Sequence, residues 1–323
     1  MSDGAPESML RIGVTLGDPR GIGPEICLAA GLSFRAVAPH ALVFIGAAGT
    51  AADDAGGEFI PVGHWHGGGT AAQAGHLAGL TIEAAARLAV AGDIDAVVTG
   101  PIDKAALNAG GFHFPGHTEM LASASGAADV VMLMAAERTA LGGPLRVVLA
   151  TTHIPLADVP RTLSVQRLVT QTRITVRALQ DGWAMAAPRI ALCAFNPHAS
   201  DGGLFGDEEE RIYSPALEEL HASGLDVTGP VPADTVFLRA CRGEFDAVVA
   251  PYHDVGMAAF KTVAFGHGVN VTLGLPFPRT SPDHGTALDI AGRGLADSSS
   301  MHEALMLAAR LAAVRRHAGG TVS

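Results

Sequence analysis

Three histidines follow short apolar runs in this chain, and imidazole is a common metal ligand. His153 ends the run VVLATTH, His198 ends IALCAFNPH and His253 ends AVVAPYH. Each run has the length of a buried strand, and open α/β sheets bind ligands beyond the carboxyl ends of their strands. Three neutral imidazoles with an open coordination position suit zinc, cobalt, nickel or manganese. The three are too far apart in the sequence for a local motif, so a metal site requires the fold to bring them together.

The stretch from residue 246 to residue 294 carries further polar groups between short apolar runs. This embedding favours a lined pocket over a solvated surface loop. Arginine suits two-pronged binding of a carboxylate or phosphate, although a single surface cation has the same sequence signature. The candidate residues of the stretch are Asp254, Lys261, Asn270, Arg279 and the run Asp283-His284-Gly285-Thr286.

Strand-like and helix-like segments alternate along the chain, and this order predicts an α/β fold with a parallel sheet. The first strand leads into GDPRGIGPE, whose glycines allow a tight turn and whose second proline suits the first turn of a helix. Such a turn either binds an anion through its backbone N–H groups or only packs. Strands are predicted at residues 11–16, 41–46, 95–100, 129–135, 145–150, 189–195 and 247–250, and helices at residues 74–91, 165–179, 214–222 and 302–317.

Three further segments have distinct predictions. Residues 56–75 are rich in glycine and histidine, and a flexible loop is favoured there over a metal site at His64 and His66. The GPVPAD segment, residues 229–234, is predicted to be a turn. His117 and Thr118 are predicted to begin a helix, where both can face a ligand near its N-terminus.

Composition restricts the functional classes. Of 323 residues, 48% are hydrophobic and 16% are charged, which indicates a large core or surface buried in an oligomer. The net charge of −11 argues against a general nucleic-acid or anionic-membrane surface. Three widely spaced cysteines indicate free thiols in a reducing compartment. The N-terminal residues do not resemble a signal peptide and no apolar run reaches membrane-spanning length, so a cytoplasmic protein is expected.

The motifs together resemble the 4-hydroxythreonine-4-phosphate dehydrogenase family of pyridoxal phosphate biosynthesis. The resemblance extends from Gly17 to about Gly294 and is carried, in the expected order, by GDPRGIGPE, TGPIDKAAL, GHTE, THIPL, NPHASDGG, PADT, YHD, NVTLGLPF and RTSPDHGTALDIAG. The first and last motifs also resemble isocitrate and isopropylmalate dehydrogenases. This resemblance implies their two-domain α/β fold with the active site in the interdomain cleft.

The resemblance also implies site residues, a cofactor and partners. It implies a divalent metal (zinc, cobalt, manganese or magnesium), NAD or NADP, a small phosphorylated hydroxy-acid substrate, and a homodimer with shared active sites. The implied metal ligands are His153, His198 and His253. The implied substrate contacts are His117, Thr118, Lys261, Asn270 and Arg279, and the implied cofactor contacts are His284, Gly285, Thr286 and Asp289. Residues 1–128 with 272–323 are expected to form a cofactor-side domain, and residues 129–271 a metal-binding and dimerisation domain.

The implied reaction is oxidation of 4-phosphooxy-L-threonine followed by decarboxylation. Lys104, Lys261 and Asp254 are all candidates for the proton acceptor. The sequence departs from the family pattern at Asp103, Val255, residues 257–259, Pro278 and Pro282. Because these positions lie beside substrate residues, a four-carbon sugar-acid phosphate or an aromatic cis-dihydrodiol remains an alternative substrate. A non-catalytic metabolite-binding protein is the alternative of another class.

Overall fold

A computed structural model describes residues 9–50 and 57–319 of the chain. The chain divides into two compact units. The first runs up to Val130 and resumes at Leu275, and the second is Val131–Gly274. Within the described ranges, no helix is long and apolar enough to cross a membrane.

The first unit contains a parallel sheet flanked by helices. Its strands are ordered β3-β2-β1-β4-β11, and every neighbouring pair is parallel. Their carboxyl ends therefore lie along one edge. The elements are β1 (Arg11–Thr15), α1 (Gly23–Arg35), β2 (Ala41–Ala48), β3 (Glu58–His64), α2 (Ala71–Ala91), β4 (Ala96–Thr99), α3 (Lys104–Ala109), α4 (His117–Ser125), β11 (Arg279–Pro282) and α10 (Ser299–Gly319).

The second unit has strands in the order β10-β5-β6-β9-β7-β8. The pairs β10–β5 and β5–β6 are antiparallel, whereas β6, β9, β7 and β8 are mutually parallel. The elements are β5 (Val131–Ala136), β6 (Leu145–Leu149), α5 (Val159–Thr162), α6 (Val165–Trp183), β7 (Ile190–Cys193), α7 (Ser214–Ala222), β8 (Val227–Val231), α8 (Ala233–Cys241), β9 (Ala247–Ala250), α9 (His253–Ala264) and β10 (Val269–Leu273).

Local sequence explains the central elements well. The strands β1, β4, β6, β7 and β9 are almost wholly buried, as expected for apolar runs covered on both faces of a sheet. Helix α2 begins with a capping box, in which the Thr70 hydroxyl accepts from the Gln73 N–H and the Gln73 side chain accepts from the Thr70 N–H. The same helix ends at Gly92, whose φ of 79° suits glycine.

Two predictions about irregular segments are wrong. In residues 56–75, of which residue 56 lies outside the described part, Glu58–His64 forms β3 and pairs with β2. Within residues 229–234, Gly229–Val231 belong to β8, which pairs with β7. Both strands lie at the outer end of their unit's strand order. Strands at the edge of a sheet tolerate proline and half-exposed residues. Their sequences therefore lack the continuous apolar run that predicts a buried strand.

Candidate active site

The three candidate metal ligands follow three neighbouring parallel strands of the second unit. His153 comes after β6, His253 after β9 and His198 after β7, and the strand order is β6-β9-β7. The rings of His153 and His253 lie together, with centroids 5.3 Å apart and planes at 47°. Strands β6 and β9 continue side by side beyond their ends, since Thr151 donates from both its N–H and its hydroxyl to the Pro251 carbonyl.

His253 is oriented by the residue that follows it. It is the first residue of α9, and its Nδ1 lies 2.7 Å from Oδ1 of Asp254. An acceptor at this position favours the tautomer with the proton on Nδ1, which leaves the Nε2 lone pair for another partner. Metal-binding histidines typically have such a carboxylate on their second nitrogen. The chemistry of the donor set at His153 and His253 therefore fits a divalent metal.

His198 lies in a segment with an unusual backbone. His198, Ala199, Ser200 and Asp201 have φ values of 52°, 55°, 72° and 45°, and Gly202 and Gly203 continue the left-handed run. This conformation costs L-residues about 1–2 kcal/mol each. The His198 side chain is exposed. In residues 9–50 and 57–319, no three His, Cys, Asp or Glu side chains form a group that could hold a metal ion, so His198 is not assembled with His153 and His253.

Arg279 lies in the first unit, on a strand next to β4. Only 3% of the residue is exposed, and its Nη2 donates to the Thr99 hydroxyl over 2.6 Å. Burial lowers the pKa of Arg279 to about 10, and the negative charge of Glu119 opposes that shift. The side chain is therefore a buried cation at neutral pH, which is costly unless an anion or hydrogen-bond acceptors stabilise it.

His117 lies in the same part of the first unit, at the start of α4. Burial lowers the pKa of its imidazole well below the ordinary value near 6.5; the charges of Arg279 and Lys104 lower it further, and a hydrogen bond to the Gly100 backbone offsets part of the shift. Its Nε2 is buried and has no hydrogen-bond partner among the described residues. His117 is therefore a neutral group with an acceptor or donor available for a ligand.

The start of α4 adds further positive potential to this cluster. The N-cap residue Gly116 supplies no side-chain cap, so no side chain at that position competes for the first N–H groups of the helix. A helix N-terminus attracts anions. Together with Lys104 and Arg279, and beside the neutral His117, it forms what we call the cationic cluster of the first unit; Glu119, in the first turn of α4, is a carboxylate next to this cluster. Such a cluster suits a phosphate or carboxylate, even though the chain as a whole is acidic.

Two carboxylates and Arg20 link the turn after β1 to the start of α3. Nε and Nη2 of Arg20 donate to the two oxygens of the buried Asp18, over 3.0 and 2.6 Å. Nη2 also lies 3.2 Å from Oδ2 of Asp103. The other oxygen of Asp103 accepts from the N–H groups of Ala105 and Ala106 and so caps α3. This network positions Lys104, the first residue of that helix, although the sequence signalled only that Asp103 is atypical.

The predicted cofactor loop packs on the turn between β1 and α1. The Thr286 carbonyl accepts from the Ile22 N–H at 2.9 Å, and a Cβ on Gly21 would lie 2.7 Å from the same carbonyl oxygen. Only glycine allows this close approach. Beyond the loop, the Gly292 N–H donates to Glu25. The two motifs that resemble β-decarboxylating dehydrogenases are therefore neighbours in the first unit.

The remaining candidates are distributed as follows. Gly285 and Asp289 are exposed, while the Nε2 of His284 is buried without a hydrogen-bond partner in the described part of the chain. Thr118 follows His117 in α4. Lys261 on α9 and Asn270 on β10 belong to the second unit, as does Asp254. The structure therefore groups Lys104, His117 and Arg279 in one unit and His153 and His253 in the other.

The low pKa of His117 predicts a pH-dependent stability. Below pH 6.5 the unfolded chain binds a proton at this position and the folded chain does not, so acidification favours unfolding. We expect the free energy of unfolding to fall by up to about 1.4 kcal/mol per pH unit from this group. The H117Q variant should lose this component, and H113Q, at an exposed histidine, should keep it. Urea unfolding at pH 7 and pH 5.5 measures how much the free energy of unfolding falls between the two pH values. An equal fall in wild type and H117Q would contradict the prediction.

Comparison with solved structures defines the class of fold. A β-decarboxylating dehydrogenase from Thermococcus kodakarensis superposes with a TM-score of 0.53 at 18% identity, over 96% of this chain and 89% of that chain. A 4-hydroxythreonine-4-phosphate dehydrogenase from Klebsiella pneumoniae superposes with a TM-score of 0.81 at 39% identity, over 94% and 100%. The predicted α/β fold of the isocitrate and isopropylmalate dehydrogenase type is confirmed.

Sequence comparison then gives the family. The family described as pyridoxal phosphate biosynthetic protein PdxA matches residues 28–308. A Paracoccus denitrificans relative named 4-hydroxythreonine-4-phosphate dehydrogenase is 43% identical over 94% of this chain and 98% of its own length. A Geobacter metallireducens relative of the same name is 50% identical over 73% and 68%. The chain belongs to the PdxA family, and the prediction of a dehydrogenase is confirmed at the level of enzyme class.

Two further similarities concern relatives with other names. A Bradyrhizobium diazoefficiens protein, provisionally named a D-threonate 4-phosphate dehydrogenase, is 42% identical over 94% of this chain and 96% of its own length. A terephthalate 1,2-cis-dihydrodiol dehydrogenase from Burkholderia xenovorans is 30% identical, with a TM-score of 0.66 over 94% and 98%. Proteins of this fold at 30–42% identity therefore carry more than one substrate in their names.

Proposed function

We propose that this PdxA-family enzyme oxidises 4-phosphooxy-L-threonine with NAD or NADP and that the product loses carbon dioxide to give 3-amino-2-oxopropyl phosphate. The observation that carries the proposal is the near full-length similarity to relatives named for this substrate. The cationic cluster of the first unit supports it, because an acidic protein needs local cations to bind a phosphorylated, carboxylated substrate.

Substrate binding is proposed to depend on neutral and cationic groups together. Arg279 supplies a buried guanidinium, and His117 supplies a neutral imidazole whose Nε2 has no hydrogen-bond partner among the described residues. Neutral His117 accepts or donates one hydrogen bond without adding a second buried charge beside Arg279. Lys104 and the N-terminus of α4 add attraction for anionic oxygens. Thr118, Lys261 and Asn270 complete the proposed substrate set.

His153, His198 and His253 are the proposed ligands of a divalent metal, either zinc, cobalt, manganese or magnesium. When bound, such an ion would lower the pKa of the substrate hydroxyl and stabilise the enolate formed on decarboxylation. The Asp254 carboxylate holds the His253 ring with its Nε2 available. A neutral imidazole is the form that binds a metal, so the pair supplies the donor chemistry that this reaction needs.

The proposed reaction requires a proton acceptor and a hydride acceptor. The hydroxyl proton passes to a basic group of the chain, for which Lys104, Lys261 and Asp254 are the candidates. A nicotinamide cofactor, which His284, Gly285, Thr286 and Asp289 are proposed to hold, would take the hydrogen on the hydroxyl-bearing carbon as hydride. The oxidised product is a β-keto acid, whose carboxylate is attached to the carbon next to the ketone carbon. This carboxylate leaves as carbon dioxide, the electrons of the broken carbon–carbon bond remain as the enolate, and protonation of the enolate gives the product ketone.

A panel of substrates tests this proposal. Metal-supplemented enzyme is mixed with NAD or NADP and with 4-phosphooxy-L-threonine, D-threonate 4-phosphate or an aromatic cis-dihydrodiol, and both reduced cofactor and carbon dioxide are measured. The highest kcat/KM is expected with 4-phosphooxy-L-threonine. Preference for D-threonate 4-phosphate, after which the Bradyrhizobium relative is provisionally named, would assign the enzyme to sugar-acid phosphates instead. Absence of turnover throughout the panel would favour a metabolite-binding protein.

The cofactor is proposed to bind along His284, Gly285, Thr286 and Asp289. Asp289 is exposed on the turn beyond this loop, so its carboxylate is available to the hydroxyls of a ribose. We expect D289A to raise the KM for NAD(P) by about tenfold, since a hydrogen bond to a charged group contributes about 1.5–3 kcal/mol, while the substrate KM changes little. Steady-state kinetics with each ligand varied in turn measures both constants. A change confined to the substrate KM would refute the assignment; D181A, at an exposed aspartate of α6, is the control.

A cytoplasmic homodimer with shared active sites is the proposed assembly. The low share of charged residues supports it, because a chain of this size with 16% charged residues suits burial of additional surface between subunits. Size-exclusion chromatography with light scattering tests the stoichiometry.

A further inference from the structure

The carboxylate of Glu209 contacts the two residues that lead into the left-handed segment of His198. Only 6% of Glu209 is exposed. Its Oε1 accepts from the backbone N–H groups of Phe195 and Asn196, over 2.9 and 2.7 Å, and its Oε2 accepts from Asn196 Nδ2 at 2.8 Å. All three donors belong to the two residues that lead from β7 into Pro197 and His198.

The segment that carries Glu209 is attached to strand β7. Glu209 begins the π-helical turn Glu209–Tyr213 that leads into α7. The fully buried Tyr213 donates its hydroxyl to the Cys193 carbonyl at 2.8 Å, which ties the turn to the end of β7. Both ends of the contact between Glu209 and Asn196 are therefore anchored to the same strand, and the backbone between β7 and His198 has little freedom.

The conformation of the segment requires such support. Four consecutive residues other than glycine, His198 to Asp201, have positive φ. A run of this kind persists only where the surroundings determine it. The segment is also closed by Ser200, whose hydroxyl donates to the Gly206 carbonyl at 2.5 Å, and by Glu208, which accepts from Asn196 Nδ2 at 2.7 Å. Glu209 accepts three hydrogen bonds from Phe195 and Asn196, the residues before the segment, whereas Glu208 accepts one.

We infer that Glu209 is a positioning residue for metal binding, acting through the backbone that directs His198. This inference rests on the proposed function, in which His198 is a ligand of a metal site shared between two subunits, since among the described residues of one chain His198 is not assembled with His153 and His253. The negative charge matters because three N–H donors converge on the two oxygens. A glutamine of nearly the same size would turn its NH2 group either towards Asn196 Nδ2 or towards the two backbone N–H groups. In either orientation the NH2 group of the glutamine faces another N–H donor. The variant therefore loses either the hydrogen bond from Asn196 Nδ2 or those from the two backbone N–H groups.

Cobalt binding to the purified full-length protein tests the inference. Co²⁺ alone is titrated, and its absorption spectrum reports both affinity and ligand geometry. E209Q is expected to bind Co²⁺ about 10–100-fold more weakly, the range typical of losing a group that orients a metal ligand. E210Q, which changes the exposed neighbouring glutamate, should bind as wild type does. In an H198A background, E209Q should cause no additional loss, because the effect passes through His198.

The outcomes separate this inference from the metal assignment. If H198A binds Co²⁺ as tightly as wild type, the metal assignment fails and this inference fails with it. If H198A weakens binding but E209Q does not, or if E209Q weakens binding equally in the H198A background, the inference alone is overturned.

Should E209Q not fold, as judged by thermal unfolding, N196A replaces it, because it removes the side-chain contact with Glu209 and leaves the buried carboxylate with two backbone partners. N196A should also weaken Co²⁺ binding, and unchanged affinity would overturn the inference.

Discussion

Replacing Arg279 by alanine is expected to lower kcat/KM for the phosphorylated substrate by about ten- to a hundredfold or more. A hydrogen bond to a charged group contributes about 1.5–3 kcal/mol, and tenfold corresponds to about 1.4 kcal/mol. Because Arg279 is buried at the start of β11 and bound to Thr99, its guanidinium is held in one place before substrate binds. The loss should therefore appear in kcat/KM for phosphorylated substrates above all.

Conservative and control variants refine this prediction. R279K should recover only part of the activity, since one ammonium cannot reproduce the planar, two-pronged guanidinium. R87A, which removes an exposed cation from α2, should leave kcat/KM unchanged and so excludes an effect of net charge alone. Full rescue by lysine would mean that Arg279 acts as a point charge. Unchanged kcat/KM in R279A for every phosphorylated candidate would remove Arg279 from the substrate site and favour the dihydrodiol alternative.

Replacing any one of His153, His198 and His253 by alanine is expected to remove most of the bound metal and at least about a hundredfold of the activity. Loss of a group that only orients a ligand already costs about 10–100-fold, and a three-ligand site has little redundancy. Metal content after dialysis and kcat/KM with added metal are the measurements. H267A, at an exposed histidine beyond α9, controls for nonspecific binding. Full occupancy and normal turnover in one variant would exclude that histidine.

Mixed dimers extend this test to the assembly. A dimer of one H198A subunit and one H253A subunit retains one complete ligand set only if a site draws His198 and His253 from different subunits. Partial recovery of activity, up to about half that of wild type, is then expected for the purified hybrid. A hybrid as inactive as its parents would show that each site takes both histidines from one chain.

Some buried elements, such as β9 and α7, could be predicted from local sequence with accurate bounds, whereas the interior strands β10 and β11 were not predicted. Residues 247–250 form β9 and residues 214–222 form α7, as predicted. An apolar run enclosed by polar or helix-breaking residues has few alternatives in a folded chain. Strands β3 and β8 were not predicted because each pairs with one neighbouring strand only. Their residues form a strand through that pairing, and their sequences lack the apolar pattern of a buried strand.

The candidate site also contains residues that could be predicted from the sequence and residues that could not. That His153, His198 and His253 each follow a strand end is visible in the sequence, since placement after an apolar run is a local property. The roles of Thr99, Arg20 and Glu209 are not visible there. Thr99 meets Arg279 across 180 positions of the chain, and Glu209 approaches Asn196 only because a turn folds it back towards β7. No signal in the sequence identifies these partners, apart from the atypical Asp103 that Arg20 contacts.

The sequence by itself determined the alternation of strands and helices, the order of the motifs and therefore the family, because these depend on residue type and spacing. Tertiary structure alone decided which polar groups are buried. Burial makes His117 neutral and brings the pKa of Arg279 down to about 10, and folding brings Glu209 to the two residues that lead into the left-handed segment of His198. The energy of a charged group depends on the solvent and neighbours that it has after folding, which residue type and spacing do not specify.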